Sequence, residues 1–146
     1  MADQVTVKVG GISEAIKNLK RYQFIKTEAC KICLKRHAFN IERAAKEGVH
    51  VDTGRLRASI SVNWAGSSMS EGKTGAKAEP GDGIKKPSGP KELVYVVGSN
   101  VIYAPYQEHG TKRMDARPYL YPAYFMYEGE IVKDIGKIFK KDMRLG

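Results

Sequence analysis

The sequence predicts an α+β fold that combines two helices with a few short β-strands. Residues 13–47 and the residues from 122 onward repeat apolar side chains at helical spacing. Four shorter runs show the alternating or continuous apolar pattern of strands. A chain of 146 residues fits one domain, so we expect a single folded unit over 1–146.

The composition is that of a water-soluble protein with excess positive charge. Hydrophobic residues make up 42% of the chain, charged residues 28%, and the formal net charge is +9. Such a balance indicates nucleic acid, an acidic partner, or only a well-solvated surface. We expect no cleaved signal peptide and no membrane contact, because no apolar run approaches the roughly 20 residues that span a bilayer. The two cysteines do not make a disulfide framework and fit a reducing compartment.

The N-terminal part of the chain predicts a short strand and then a long helix. Val5, Val7 and Val9 alternate with polar residues, which is typical of a half-buried strand. The helix is expected over 13–47, because Ser13 suits its N-cap and Gly48 its C-terminal stop.

The long helix carries apolar side chains on two roughly opposite sides. The first side holds Ile16, Leu19, Cys30, Leu34, Ala38, Ile41 and Ala45. The second side holds Tyr22, Ile25, Ala29, Ile32 and Phe39. A small domain has little with which to cover both sides of a helix. We therefore expect the first side to pack on the domain's own sheet and the second on a neighbouring subunit; the alternative is one core that wraps around the helix.

The residues that follow the helix predict a capped turn, a strand and a long loop. Asp52 or Thr53 can cap a short helical turn through Leu56 and Arg57. The next strand should have one apolar face, formed by Ile60, Val62 and Trp64. Residues 65–91 are rich in Gly, Pro and Lys and cannot bury enough apolar surface to fold, so we interpret them as a flexible loop between two paired strands.

Two further strands and a final helix are expected after the loop. The continuous apolar run 93–97 predicts a central strand covered on both faces, and 101–103 predicts a short one. The last helix is expected from Pro122 or Ala123, with an apolar stripe formed by Tyr127, Ile131, Ile135, Ile138 and Phe139.

The residues between the last strand and the last helix are interpreted as a structural joint. Tyr103 should end the sheet, Pro105 and Gly110 should bound one helical turn, and Arg117-Pro118 should direct the last helix. We expect Glu108 to be buried and paired with Arg55, Arg57 or Arg117. That ion pair would hold the joint to the turn formed by Asp52, Thr53, Gly54 and Arg55.

No pattern in the sequence predicts a catalytic or metal site. Cys30, Cys33 and His37 share one helical face, but a fourth ligand is not evident and structural zinc pairs normally lie on turns. We expect small buried side chains there, and neither a metal nor a cofactor. Possible acid–base neighbours such as Glu108 and His109 lack a nucleophile and an orienting group, so we expect no enzymatic activity.

The distribution of charge leaves a second function open. Nucleic-acid-binding proteins usually concentrate Lys and Arg in a dense stripe, whereas here the basic residues are spread along the chain. A basic DNA-binding module without sequence specificity is therefore kept as the alternative function.

Two motifs, in order and separated by a Gly-rich loop, resemble a known family. The first motif has Asp52, Thr53, Gly54, Leu56, Ser59 and Ile60. The second has Tyr103, Ala104, Tyr106, Glu108, Gly110, Thr111, Arg117, Pro118, Leu120, Pro122 and Ala123. Over residues 10–140 the chain resembles the tail-component family of tailed bacteriophages and prophages, the head-to-tail joining, tail-completion or minor tail proteins of the siphovirus type.

The resemblance implies a fold and a role. The fold is a small antiparallel sheet packed by a long N-terminal helix and a C-terminal helix, in one tail-completion-like domain. The role is structural and non-catalytic: a ring, hexameric in size, that joins the tail tube or tail terminator to the head connector. Such a protein would be made in the cytoplasm of the host bacterium and located in the tail or neck of the virion, with non-specific DNA contact as a further possibility.

Overall fold

The computed structural model describes residues 12–52, 54–64 and 93–140. The elements, in chain order, are α1 (Ile12–Gly48), α2 (Arg55–Ser59), β1 (Ser61–Trp64), β2 (Tyr95–Gly98), α3 (Ala104–His109) and α4 (Leu120–Lys140). This architecture confirms the α+β class with a long N-terminal helix, a C-terminal helix and a small antiparallel sheet. The strand expected at 5–9 and the loop expected at 65–91 lie outside the described residues. None of the described helices is both long and apolar enough to cross a membrane.

Helix α1 has 37 residues and is roughly 55 Å long at the usual rise per residue. It starts one residue before the expected Ser13 and ends at the expected Gly48. Glu14 in its first turn and Lys46 in its last turn complement the helix dipole.

The hydrophobic core lies where the C-terminal half of α1 meets α2, α3 and the start of α4. Its buried members are Ile41, Ala45, Val49, Leu56, Ile60, Val101, Ala104, Tyr119 and Ala123. Ile60, directly after α2, is completely inaccessible to solvent. The core therefore joins the first motif of the sequence to the second.

The two strands form one antiparallel pair, with Val62 opposite Val97 and Trp64 opposite Tyr95. Two strand predictions need correction. Asn63 was expected on a polar face of β1 but is only 6% exposed, so both sides of this strand are covered. All four residues of β2 are half-buried, whereas full cover on both faces was expected.

The strand expected at 101–103 is wrong. Val101 is buried in the core outside any strand, Ile102 lies in a turn, and Tyr103 is the N-cap of α3. The backbone N–H of Ala104 donates to the carbonyl of Val101 over 3.1 Å, which bends the chain into the helix and prevents an extended backbone.

Of the two short helices, α2 and α3, only α2 differs from the sequence prediction, and it does so at its N-terminus. The N-cap of α2 is Gly54, in the left-handed conformation (φ 77°) and without a side-chain cap. The N-cap is therefore not Asp52, one of the two expected caps; the other, Thr53, lies outside the described residues. Helix α3 has Pro105 in its first turn and Gly110 as its C-cap, as predicted.

Candidate assembly surfaces and the joint that positions them

Glu108 lies at the centre of the joint and is only 8% exposed. Its Oε2 accepts hydrogen bonds from the backbone N–H groups of Tyr119 (2.9 Å) and Leu120 (3.0 Å), and its Oε1 accepts one from Tyr121 (2.8 Å). These amides lie at the first turn of α4, where N–H groups have no partner within the helix and the dipole favours a negative charge. A carboxylate on α3 therefore caps α4.

The expected ion pair between Glu108 and an arginine is wrong. In the described parts of the chain, no arginine forms a salt bridge with this carboxylate, because three backbone donors occupy it. Packing alone does not hold the joint either. One signal for this arrangement exists in the sequence: residues 117–120 contain no Ser, Thr, Asp or Asn, so the cap of α4 has to come from elsewhere.

Backbone contacts complete the joint. The N–H of Arg117 donates to the carbonyl of Gln107 over 2.7 Å, which fixes the chain just before Pro118. Gly110 has φ 75°, and a Cβ built there would lie 2.8 Å from the amide nitrogen of Ala116. Only glycine fits this close approach. The guanidinium of Arg55 lies 5.8 Å from the centre of the Tyr103 ring, which connects α2 to the start of α3.

The two motifs of the sequence line one cleft. A cavity of about 550 Å³ is bounded by residues that include Asp52, Gly54 and Arg55 on one side and Tyr103 and Tyr106 on the other. Asp52, Pro105 and Pro118 are exposed. The structure therefore brings the predicted joint residues to one region, although their contacts differ from those expected.

The first apolar side of α1 is covered only in its C-terminal part. Cys30, Ala38, Ile41 and Ala45 are buried and Leu34 is half-buried, but Ile16 and Leu19 are exposed. The prediction that the whole side packs on the domain is thus wrong at its N-terminal end. The reason is that α4 extends along α1 only as far as Lys26, which donates to the carbonyl of Ile138 near the end of α4. Every residue from 13 to 25 is exposed.

The second apolar side of α1, the outer stripe, is largely exposed. The side chain of Ile32 is 70% exposed and that of Ile25 is 54% exposed. Tyr22 and Phe39 are also exposed, and Ala29 is half-buried. Phe39 makes an edge contact with Trp64, with ring centres 6.3 Å apart. A core wrapped around the helix, the alternative from the sequence, does not match this exposure.

Helix α4 also presents apolar side chains to solvent, which the sequence reasoning missed. Phe125, Met126 and Val132 are each more than 60% exposed. Phe139, expected to pack inward, is 51% exposed. Ile131, Ile135 and Ile138 are half-buried, as befits the side that faces α1.

An ion-pair cluster fastens α4 to α1. Asp134 accepts from Arg36 at 2.5 Å and lies 3.1 Å from Nε2 of His37, while its other oxygen accepts from Lys137 at 2.9 Å. The hydrogen bonds from Lys137 and His37, helped by the charges of Lys137 and Arg36, lower the pKa of Asp134 against the opposing effect of burial.

The same cluster contains three groups that could hold a metal ion. The donor atoms of Cys33, His37 and Asp134 lie within 4.8 Å of one another, and Asp134 is a ligand that the sequence did not reveal. Burial raises the pKa of the Cys33 thiol, which disfavours the thiolate that metals bind. The Asp134 carboxylate already contacts nitrogen atoms of Arg36, His37 and Lys137. The packing of α1 on α4 is sufficient to explain this cluster without a metal ion.

Fold and surface together define a class of protein: a small α+β domain that presents apolar helix faces suited to protein–protein contact. Residues 13–110 match a family model described as "Bacteriophage HK97-gp10, putative tail-component". The match covers more than half of the chain, and the chain belongs to this HK97-gp10-like family of phage tail components. It confirms the resemblance found in the sequence, and it supports a structural role as a component of the virion. Comparison with curated proteins and with solved structures gave no match.

Proposed function

We propose that this protein joins the tail tube of a phage or prophage to the head connector, and that it does so as a ring, for which the family resemblance suggests six copies. The observation that carries the proposal is the exposed outer stripe of α1. A ring repeats one contact between two different surfaces of each subunit. The outer stripe supplies one such surface: Phe39 contacts Trp64 and Tyr22 lines a cavity of its own chain, but Ile25 and Ile32 are 54% and 70% exposed.

The apolar area that the outer stripe exposes favours binding to a protein partner. Burial of apolar surface contributes about 25 cal/mol per Å² removed from water. Ile25, Ile32 and Phe39 recur every seven residues and so align along the helix. Exposed apolar surface arranged in a line is typical of a contact surface and is a liability on a free monomer.

Non-specific DNA contact is the second candidate, and the exposed bases of α1 favour it. Lys17, Lys20 and Arg21 are exposed on the part of α1 that extends beyond α4. Phosphate contacts by such residues would give binding that weakens steeply with salt. Large apolar side chains lie between these bases, however, and this arrangement fits a protein partner better.

Loss of the protein from an infecting phage or an induced prophage tests the proposed role. We expect lysates that contain separate filled heads and tails by electron microscopy, and infectivity restored by the wild-type gene. Ile32→Asp should fail to restore it, whereas Phe24→Asp, at a side chain equally exposed (66% against 70%), should succeed. Normal joined particles in the absence of the protein would refute the joining role.

A further inference from the structure

We propose that the outer stripe of α1 binds a second copy of this chain, and that its docking site there is a stripe on α4 formed by Phe125, Gly129, Val132, Gly136 and Phe139. This inference rests on the proposed assembly into a ring and names the two surfaces that would meet. The occupant is another copy because the two stripes match each other in length, spacing and shape.

The α4 stripe lies away from the core. Ala123 is buried, and Tyr127 and Ile131 are half-buried against the core, while Phe125 and Val132 are 63% and 67% exposed. The members of the stripe follow a four–three spacing that keeps them on one side of a helix. It is therefore a second apolar side, as on α1.

The two stripes have the same length and repeat. On α1, Ile25, Ile32 and Phe39 are seven residues apart; on α4, Phe125, Val132 and Phe139 are also seven apart. Each set spans roughly 21 Å of helix. Side chains at this repeat interdigitate when two helices pack against each other.

Two glycines shape the exposed α4 stripe. Gly129 and Gly136 lie between its large side chains, seven residues apart, and a Cβ on either would meet nothing within 4 Å. Glycine inside a helix costs up to about 1 kcal/mol relative to alanine, and no packing among the described residues explains this cost. Glycines at this repeat leave room for the isoleucines of a neighbouring α1, which have the same repeat.

Charges of both signs flank the α4 stripe, since Lys133 and Lys140 are exposed there as well, but one pair across the two stripes is complementary. Arg36 lies in line with Ile32 and Phe39 on α1, and its side chain is 61% exposed even though it also bonds Asp134. Glu128 is exposed beside Phe125 and Val132 on α4. Charges of opposite sign at the edges of an apolar contact favour this pairing and fix its register.

Within the described part of one chain the two stripes come near each other at one end, where Tyr22 and Phe139 line the same cavity, but Ile25, Ile32, Phe125 and Val132 are each more than half exposed. Within a chain, α1 contacts α4 through the side that holds Cys33 and His37, where Asp134 faces them. Ile32 and Phe39 lie beside this contact rather than in it, and Arg36, which is in line with them, reaches Asp134 from its edge. Each copy therefore offers one stripe of each kind, and the contact repeats head to tail, which closes into a ring or continues as a fibre.

Matched variants test the pairing by sedimentation velocity over a series of protein concentrations. Ile32→Asp removes the α1 stripe and Val132→Asp removes the α4 stripe. We expect each to raise the dissociation constant of the wild-type assembly at least about tenfold, because each buries an unpaired carboxylate. The controls Phe24→Asp and Met126→Asp, at side chains 66% and 67% exposed but outside the stripes, should assemble like the wild type.

An equimolar mixture of the two disrupted variants gives the decisive result. Val132→Asp retains an intact α1 stripe and Ile32→Asp an intact α4 stripe, so the mixture should form dimers that grow no further. If Val132→Asp assembles like the wild type, or the mixture stays monomeric, the pairing is wrong although self-assembly stands. A wild type that is monomeric at every concentration overturns both the pairing and self-assembly. The joining role is then tested only by electron microscopy of the phage particles.

A second pair of variants separates an effect on association from an effect on folding. Gly129→Ala and Gly136→Ala should raise the melting temperature of the monomer, because alanine favours the helix. The same variants should weaken association if a neighbouring helix approaches closely. Unchanged or stronger association would contradict this packing.

Discussion

At the scale of single residues, the most consequential side chain is Glu108. Burial of a carboxylate is costly unless its oxygens are hydrogen-bonded. Here three backbone N–H groups of residues 119–121 satisfy it, and they would themselves lack partners without it. One side chain thus determines where α4 begins and ties α3 to it.

Replacement of this carboxylate should destabilise the fold. We expect Glu108→Ala to lower the free energy of unfolding by about 2–4 kcal/mol, because charge-assisted bonds are lost and buried donors are left unpaired. Urea denaturation measures the change, with the exposed Glu130→Ala as a control that should stay within about 0.5 kcal/mol. A loss as small as that of the control would show that the carboxylate does not cap α4.

At the scale of elements, the contact of α1 with α4 depends on Asp134 as well as on apolar packing. Its pKa lies below the ordinary value of 3.8, chiefly because Lys137 and His37 hydrogen-bond the charged form. Between the folded pKa and 3.8 the unfolded chain binds more protons, so stability rises with pH in this window. The contribution of Asp134 is therefore present above that window and is lost as the pH falls through the folded pKa.

The pH dependence of unfolding checks this contribution. We expect the wild type to melt at a higher temperature than Asp134→Asn near neutral pH, and the difference to shrink as the pH falls below 3.8. Asp115→Asn, at an exposed residue outside the cluster, is the control and should follow the wild type. A difference that stays constant in acid would mean that the carboxylate charge does not fasten the helices.

The elements that sequence reasoning located well are those defined by local signals. Helix α1 has its periodic apolar residues and a C-terminal glycine, and α3 has Pro105 and Gly110 at its ends. The errors concern contacts between residues distant in sequence. Glu108 caps residues 11 to 13 positions away, and Asp134 meets His37 across 97 positions, so neither partner could be read from a local pattern.

The exposure of helix faces could be predicted only in part. The outer stripe of α1 was visible because two apolar sides on one helix exceed what a small domain can cover. The α4 stripe was missed because Phe139 has the spacing of the core-facing isoleucines, and because glycines carry no apolar signal. Its recognition required the exposed fraction of each side chain.

At the scale of the whole molecule, net charge and apolar surface oppose each other. Every copy carries a formal charge of +9, so identical copies repel at long range. The apolar stripes attract only at contact. Salt screens the repulsion over a Debye length of about 10 Å at 0.1 M but leaves the apolar attraction in place.

These opposing forces predict how self-association depends on ionic strength. Between about 50 and 200 mM NaCl, we expect association of the wild type to strengthen, because repulsion between copies is screened. Retention of duplex DNA should fall steeply over the same range, because the entropy gained by releasing counterions from the phosphates decreases as the salt concentration rises. Sedimentation and DNA-binding measurements on one preparation compare the two slopes. Association that weakens together with DNA retention would show that charge, and not the helix stripes, holds the copies together, and would favour the DNA-binding alternative.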